Sequence, residues 1–458
     1  MRMVGNSALQ ELFDACGTAE LVSQEVRYSA VALHHGANDW SRALRRAGIT
    51  RGDRIICALP NGAALAQLIV ASLADGVTLV PVPAGEDVVP LLDTVDARIA
   101  IASNSSHAQV AVPSRTGGPP GGPMVPRKAT ERTETITFLL RSSGTAGQAR
   151  WIALSETGVL AVLESHLPLL AIDGSSTLCA LPWSHAFGLI LGLLPALLRA
   201  RRIVTIADDQ RSPASLISVA KQYAVSHMSM VPLIATRLGE SEAGLAMLHS
   251  LAGGLVGGAP IDARLAEVLS TTRLRVGYGQ TEASPGIMVG QPGEFRAQLL
   301  GRPVGCDVRI EADGVLAFCG PNACEGIWEE RRLRSLEQGR WHRTDDLVTM
   351  ENGAYRFVGR NAMTFKLANG RLVQAPQLEA TLRQRIPRIT DVVLTTISGE
   401  AIDVIYSTHD ATLVGEDEIR GVFGGLSAYV RSVTPVGVDA WVRTPKGDID
   451  RQHLPVAR

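Results

Sequence analysis

Short apolar runs alternate with helix-like segments through the first two-thirds of the chain, and this alternation constrains the fold most. The runs RIICALP, VTLVPVP, STLCALP and RIVTIA are strand-like, and the segments between them have helical periodicity. One helix is predicted to begin after Ser212, with Ser212 as its N-cap and Pro213 in its first turn. Such alternation predicts an α/β fold with largely parallel sheets.

The sequence pattern changes near Leu300, where short strands separated by glycine turns predict a small, mainly antiparallel β-rich unit. A compact α+β tail follows, with helices near Pro376–Gln384 and Glu416–Val422 and a last strand VDAWVR. At 458 residues the chain is too long for one ordinary core. We therefore predict a large N-terminal domain, residues 1–360, of α/β subdomains plus the β-rich unit. A small, mobile α+β C-terminal domain would span residues 361–458.

Charge and cysteine usage exclude several classes of protein. The net charge is −1, with no long block of one sign, so nothing indicates a nucleic-acid or membrane partner. The N-terminus has no apolar signal core, and the most apolar stretch, FGLILGLLPALL, is too short to span a bilayer. The six cysteines show no metal-ligand or CxxC spacing and are predicted to be reduced thiols. A soluble cytoplasmic protein is expected.

The strand TITFLLR runs directly into the segment SSGTAGQAR, which has the chemistry of a phosphate-binding loop. Ser143 and Thr145 offer hydroxyl groups, while Gly144 and Gly147 let the backbone approach an anion closely. Successive backbone N–H groups in such a turn form a positive concavity, and Arg150 adds a full charge. The Walker pattern GxxxxGK[ST] is absent. The sequence therefore predicts an anion-binding loop of a different kind.

Further segments follow this loop in a defined order along the chain. They are LPWSHAFGL, VGGAP, YGQTE, WHRTDD, VGR and finally TPKGDIDR. In this order, and across nearly the whole chain, the sequence resembles the adenylate-forming superfamily of acyl-CoA synthetases, luciferases and nonribosomal-peptide adenylation domains. The resemblance implies that ATP activates a small carboxylic acid as an acyl-adenylate, with release of pyrophosphate. In many members a thiol of CoA or of a carrier protein, here one acting in trans, then takes the acyl group.

The resemblance also assigns a set of residues to the nucleotide. Tyr278 would stack on adenine, and Asp346 would accept hydrogen bonds from both ribose hydroxyls, which suits a vicinal diol. Arg150 stands where the family has lysine, so the charge is kept but its geometry differs. Asp345 replaces the usual glycine. The full set is Ser143, Gly144, Thr145, Gly147, Arg150, Gly258, Ala259, Pro260, Tyr278, Gly279, Asp346 and Arg360.

Four further residues carry the chemistry that the resemblance implies. Thr281 would touch the α-phosphate, and Glu282 would hold Mg²⁺, because a hard cation bridging phosphate oxygens prefers a carboxylate. His185 is placed near the substrate carboxylate. Asn361, directly after the VGR motif, takes the position of the hinge between the two domains, and asparagine tolerates unusual backbone angles.

The tail TPKGDIDR departs from the family pattern PxGKxxR. Aligned on Pro445, Gly447 and Arg451, the lysine position is Asp448, whose carboxylate would repel both the substrate carboxylate and the α-phosphate. Lysine occurs only at positions 128, 221, 366 and 446. Three explanations are open: Lys446 acts as a surrogate, the activated group is unusual, or the protein binds nucleotide without forming adenylates. The second reading corresponds to a diazotase-like enzyme that activates nitrite on the same fold.

We predict that Lys446→Ala lowers adenylation by orders of magnitude if Lys446 is the surrogate, because the cation that would contact the substrate carboxylate and the α-phosphate is lost. Asp448→Lys should be tolerated or should raise the rate. Exchange of labelled pyrophosphate into ATP measures both variants. An unchanged rate in Lys446→Ala would remove the surrogate explanation.

Overall fold

A computed structural model of the protein describes residues 19–102, 110–111, 135–142, 150–206, 211–337, 339–360, 364–367, 372–396, 400–410, 412–443, 449–451 and 453–455. These residues form a mixed α/β structure with several sheets, which confirms the predicted fold class. They fall into two compact units. The first contains the described residues within Met1–Gly144, Gln148–Asp307 and Phe318–His342, and the second those within Val308–Ala317 and Arg343–Arg458.

The strands are numbered in chain order. They are β1 Glu20–Ser23, β2 Val26–Tyr28, β3 Arg54–Ala58, β4 Thr78–Pro81, β5 Ile99–Ala102, β6 Val110–Ala111, β7 Ile136–Ser142, β8 Arg150–Ser155, β9 Ser176–Cys179, β10 Arg202–Thr205, β11 Leu255–Gly257, β12 Arg275–Tyr278, β13 Met288–Val289, β14 Leu299–Pro303, β15 Asp307–Ile310, β16 Val315–Cys319, β17 Gly326–Glu329, β18 Arg332–Ser335, β19 His342–Glu351, β20 Ala354–Arg360, β21 Thr364–Lys366, β22 Leu372–Gln374, β23 Ile389–Thr395, β24 Ile402–Thr408 and β25 Val430–Pro435.

The helices are mostly short. The α-helices are Ala30–Arg46, Ala63–Asp75, Val89–Thr94, Glu156–His166, Ala186–Gly188, Leu194–Arg199, Pro213–Gln222, Pro232–Gly239, Glu242–Ser250, Ala263–Leu269, Ala375–Arg385 and Glu416–Val422. A π-helical turn spans Leu189–Leu193, and 3₁₀ turns span Leu167–Leu169, Thr281–Ala283, Gly424–Tyr429 and Val438–Ala440.

The first sheet has the strand order β18-β17-β8-β7-β4-β3-β5-β6. Strands β3, β4 and β5 are buried along their whole length and pair in parallel, as expected for continuous apolar runs covered on both faces. Strands β7 and β8 pair antiparallel, and this register sets Ser142 opposite Arg150. The predicted phosphate loop, residues 143–149, therefore connects two paired strand ends.

The second sheet of the first unit has the order β2-β1-β10-β9 and continues through the segment 227–230 to β11-β12-β13-β14. The join consists of parallel bridges from Thr177 to His227, from His227 to Gly253 and from Met230 to Val256. Strands β11 and β12 are also parallel. Four consecutive neighbours of this sheet thus run in the same direction.

Local sequence signals account for several helix boundaries. Ser212 caps the helix Pro213–Gln222 by accepting a hydrogen bond from Ser215 N at 3.2 Å, as predicted. The helix predicted from Ala186 forms but contains the π turn Leu189–Leu193. Pro195 lacks an N–H, and its ring would clash with the carbonyl four residues earlier, so a wider turn before it relieves the conflict.

The second unit contains the strand order β20-β19-β16-β15, the hairpin β21-β22 and the sheet β23-β24-β25. The two helices predicted in the tail are confirmed as Ala375–Arg385 and Glu416–Val422. The predicted last strand VDAWVR is wrong, because Val438–Ala440 is a 3₁₀ turn and the strand beside β24 is β25. Val438 and Val442 are exposed, whereas Val430 of β25 is buried in the core of this unit. Tertiary pairing therefore overrides the local apolar pattern.

The five described cysteines, Cys57, Cys179, Cys306, Cys319 and Cys324, are not in disulfides, in agreement with the prediction. Burial raises the pKa of Cys57, Cys179 and Cys324 to about 12, so these thiols stay protonated. In the part of the chain that the structure describes, no helix combines the length and apolar character that a membrane crossing requires.

A buried ion pair connects the hairpin β17–β18 to the first residue of β3 and to the segment before β5. Arg54, fully buried, donates to Asp96 at 2.8 Å and lies 4.2 Å from the ring centre of Trp328. Asp96 also accepts from Arg331 at 2.6 Å. Charges taken out of water are tolerated here because each has an opposite charge and hydrogen bonds.

We predict that Asp96→Ala destabilises the first unit by about 3–5 kcal/mol, because it leaves the buried Arg54 facing no carboxylate at this position. Asp93→Ala is the matched control, since the Asp93 side chain is 64% exposed and pairs with Arg331 at the surface, at 3.3 Å; it should cost less than about 1 kcal/mol. Urea unfolding followed by tryptophan fluorescence compares them. Equal losses in the two variants would contradict this account.

Candidate active site

The carboxyl ends of the four parallel segments meet at one edge of the second sheet. Met230 N donates to Leu255 O at 2.8 Å, and Gly257 N donates to Met230 O at 3.2 Å, so the ends of neighbouring segments are aligned. Ligands of open α/β sheets bind outside the carboxyl ends of the strands. The loops that follow these ends carry His185, Val231 with Pro232, Gly258 to Pro260, and Tyr278 to Glu282.

Gly258 lies where three of these loops meet. Its φ of +90° is in the region that favours glycine, and a Cβ at this position would lie 3.7 Å from Val231 Cγ1 and 3.9 Å from Phe187 Cδ1. The loops after β9, after segment 227–230 and after β11 therefore come together at Gly258. The predicted nucleotide-binding residues Gly258 to Pro260 lie on the loop after β11.

The segment Tyr278–Gly286 is a tight turn between β12 and β13, with Ile287 N donating to Tyr278 O at 3.1 Å. Gly279 is enclosed so closely that a Cβ there would lie 1.5 Å from Pro285 O. The 3₁₀ turn Thr281–Ala283 carries the predicted catalytic pair Thr281 and Glu282. The backbone of this turn therefore has little freedom to change its conformation.

Glu282 lies beside Arg150 at the start of β8, with Arg150 Nη2 3.2 Å from Glu282 Oε1. The structure therefore brings together the first residue after the phosphate loop and the predicted metal ligand. The two side chains are 42% and 19% exposed, and an ion pair this accessible contributes less than about 1 kcal/mol. Both groups can exchange this pairing for a phosphate or a cation at low cost.

His185 precedes the short helix Ala186–Gly188 in an extended conformation. Its loop is held by Asn61, whose Nδ2 donates to Leu181 O at 2.8 Å and whose Oδ1 accepts from Trp183 N at 3.0 Å. The sequence analysis missed Asn61. Asn61 is far from this loop in the sequence and supports it through these two hydrogen bonds.

In the second unit, Asp346 and Arg360 are cross-strand partners in β19 and β20, with Arg360 Nε 3.3 Å from Asp346 Oδ1. The structure brings together the two residues that the resemblance assigns to the ribose. Asp345 is the preceding residue of the same strand, and successive side chains of a strand point to opposite faces. The extra carboxylate is therefore directed away from Asp346.

The tail turn is anchored on both sides. Arg443 and Ile449 form an antiparallel bridge, and Arg451 Nη2 lies 2.5 Å from Oε2 of the buried Glu379. Sequence reasoning missed Glu379 as well. The predicted site residues that lie outside the described residues are Ser143, Gly144, Thr145, Gly147, Asn361 and Lys446, and with them Asp448.

Magnesium fits the donor set at this site. Among the described residues no group of three or more His, Cys, Asp or Glu side chains could hold a metal ion. Mg²⁺ prefers one or two carboxylates together with phosphate oxygens and waters, so one partly exposed glutamate is a sufficient protein ligand when the nucleotide supplies the phosphate oxygens. Glu282, 3.2 Å from Arg150, is in that position.

The chain belongs to the AMP-binding enzyme family, whose model matches residues 14–323. This finding confirms the predicted superfamily and the predicted enzyme class of AMP-forming acid ligases. It fits the geometry at the carboxyl edge, where the family's motifs lie on adjacent loops.

Relatives of known name extend the similarity over most of the chain. A feruloyl-CoA synthase of Amycolatopsis is 26% identical over 380 residues, 75% of either chain. The fold is shared with ATP-bound MatB from Rhodopseudomonas palustris, with a TM-score of 0.79, 18% identity and 98% of both chains covered. It is also shared with the amide bond synthetase McbA from Marinactinospora thermotolerans, with a TM-score of 0.73, 20% identity and 97% of this chain and 98% of that one covered.

We predict that Gly279→Ala lowers the affinity for ATP about tenfold or more, because the added Cβ forces the turn away from Pro285 O. Gly239→Ala is the matched control: it ends a helix, and its Cβ would make only an ordinary contact at 3.6 Å with Val268. Isothermal titration calorimetry with ATP measures both. Wild-type affinity in Gly279→Ala would show that the turn does not bind nucleotide.

Proposed function

We propose that this protein uses ATP to activate a small aromatic carboxylic acid as its acyl-adenylate and then transfers the acyl group to the thiol of CoA. The observation that carries the proposal is the meeting of the motif loops at one carboxyl edge, with Glu282 3.2 Å from Arg150, the residue that follows the predicted phosphate loop in the sequence. Such an arrangement suits in-line attack of a carboxylate on the α-phosphorus of ATP.

The side chains of the first unit have distinct roles in this proposal. Arg150 releases Glu282 and contacts the phosphates, while Thr281 hydrogen-bonds the α-phosphate. Magnesium, when bound by Glu282 and phosphate oxygens, offsets the charge that develops during the attack. His185 orients the carboxylate of the acid from the neighbouring loop. Thr281, Glu282 and His185 act from loops at the carboxyl edge of the second sheet, and Arg150 acts from the start of β8.

The remaining roles belong to the second unit. Asp346 accepts hydrogen bonds from the ribose hydroxyls, and Arg360 holds the carboxylate in place through their 3.3 Å contact. Lys446 supplies the cation that the family's tail lysine provides, because Asp448 cannot. The anchors at Arg443, Ile449 and Arg451 keep both ends of its turn in place.

The proposed substrate class, a small aromatic acid, rests on the comparison with named relatives. The similarity to a feruloyl-CoA synthase, an enzyme whose name specifies an aromatic acid and CoA, supports the same class.

We predict that aromatic acids such as benzoate and ferulate support exchange of labelled pyrophosphate into ATP, and that Glu282→Gln lowers this exchange about a hundredfold or more. Glu267→Gln, at an exposed helix position, is the matched control and should keep the wild-type rate. Absence of exchange across a broad panel of aromatic and aliphatic acids would contradict the proposal.

A second candidate, activation of nitrite, is favoured by Asp448 alone, since a carboxylate at the lysine position disfavours the usual contact with a carboxylate substrate. AMP release that depends on both nitrite and an arylamine would establish it. AMP release that depends on an aromatic acid, with none on nitrite, would exclude it.

A further inference from the structure

The turn that presents Glu282 is held by a neighbouring segment, residues 322–324. Asn322 Nδ2 donates to Gly286 O at 2.7 Å, and Cys324 N donates to Glu282 O at 2.8 Å. One hydrogen bond therefore fixes the end of the turn, and the other fixes the backbone of the glutamate itself. Asn322 is 2% exposed, so bulk water does not compete for this hydrogen bond.

The opposite side of the turn is packed against the helix Glu156–His166. A Cβ at Gly286 would lie 2.4 Å from Cε1 of His166, and a Cβ at Gly158 would lie 2.8 Å from Oγ of Ser284. Ser284 is buried and has a φ of +54°, a left-handed conformation that a serine adopts only under constraint. The helix thus leaves the turn no room to relax on that side.

His166 contributes volume and not charge to this packing. Burial lowers the pKa of His166 to about 4, and its Nδ1 lies 3.1 Å from Val162 O. A neutral imidazole fills the space beside Gly286 and carries no charge that would attract Glu282. The hydrogen bond from Asn322 therefore joins the turn to the segment 322–324 through a side chain.

We propose that Asn322 is a positioning residue that sets the place of Glu282 for the metal–ATP complex, by holding Gly286 O while Cys324 N holds Glu282 O. This inference rests on the proposed function, in which Glu282 binds the metal. Without the amide donor, Gly286 O loses its hydrogen bond and the end of the turn is no longer held. The strained backbone conformation of Ser284 then favours a shift of the turn. The carboxylate of Glu282 would shift with it.

The test uses the full chain and the affinity for ATP with Mg²⁺ and with EDTA, measured by titration calorimetry. Asn322→Asp keeps the shape, removes the donor and sets a carboxylate against Gly286 O. We expect the gain in ATP affinity on adding Mg²⁺ to fall about tenfold. In a Glu282→Gln background the same substitution should change this gain no further, because the two residues act through one interaction.

The matched control is Asn61→Asp, which removes an equivalent amide-to-backbone bond of 2.8 Å from the loop before His185. It should leave the Mg²⁺-dependent gain at its wild-type value and raise the KM for the acid instead. Circular dichroism checks folding, and if Asn322→Asp does not fold, Asn322→Ala replaces it with a smaller expected loss in the same direction.

Three outcomes would overturn the inference: an unchanged Mg²⁺-dependent gain in both Asn322 variants, an equal loss in Asn61→Asp, or additive losses with Glu282→Gln. The measurement needs no acid substrate. A wild-type protein that binds ATP in the Mg²⁺-dependent way but activates no acid would therefore disprove the proposed function and leave the inference about Asn322 intact.

Discussion

The parallel alignment of four neighbouring segments is the constraint on which the site of the first unit depends. Because β9, residues 227–230, β11 and β12 run in the same direction and in register, their carboxyl ends meet at one edge. Loops that are far apart in sequence, from His185 to Glu282, become neighbours there. The backbone of the sheet, rather than any single side chain, sets the geometry in which an acid and a nucleotide can react.

The side chains of Arg150 and Glu282 form only an accessible ion pair, whereas the backbone of the turn that carries Glu282 is closely packed. Arg150 and Glu282 form an accessible pair that contributes little to stability, whereas the turn around Glu282 is enclosed by Gly279, Pro285 and the bond from Asn322. This division suits a catalytic site, because side chains must exchange partners with substrate while their attachment points stay fixed. In the second unit the buried Glu379 likewise holds Arg451, which follows the tail turn in the sequence.

The sequence predicted the fold class and the family, because each motif is a short local run with its own chemistry, and several residues named from these motifs lie on loops at the carboxyl edge. It did not predict the contacts that hold these motifs. Asn61 bonds to a loop 120 residues away, Glu379 to an arginine 72 residues away and Asn322 to a glycine 36 residues away. No local pattern marks such partners. The last strand was assigned to the wrong segment for the same reason, because pairing with β24 determines which segment forms the strand.

A crystal structure of the protein with ATP and Mg²⁺ tests the central claim most directly. The account predicts the adenine between the segment Gly258 to Pro260 and Tyr278, with the metal within coordination distance of Glu282 and with Arg150 moved from Glu282 to a phosphate. ATP bound away from this carboxyl edge, or bound there with the Arg150–Glu282 pair intact and the metal elsewhere, would contradict it.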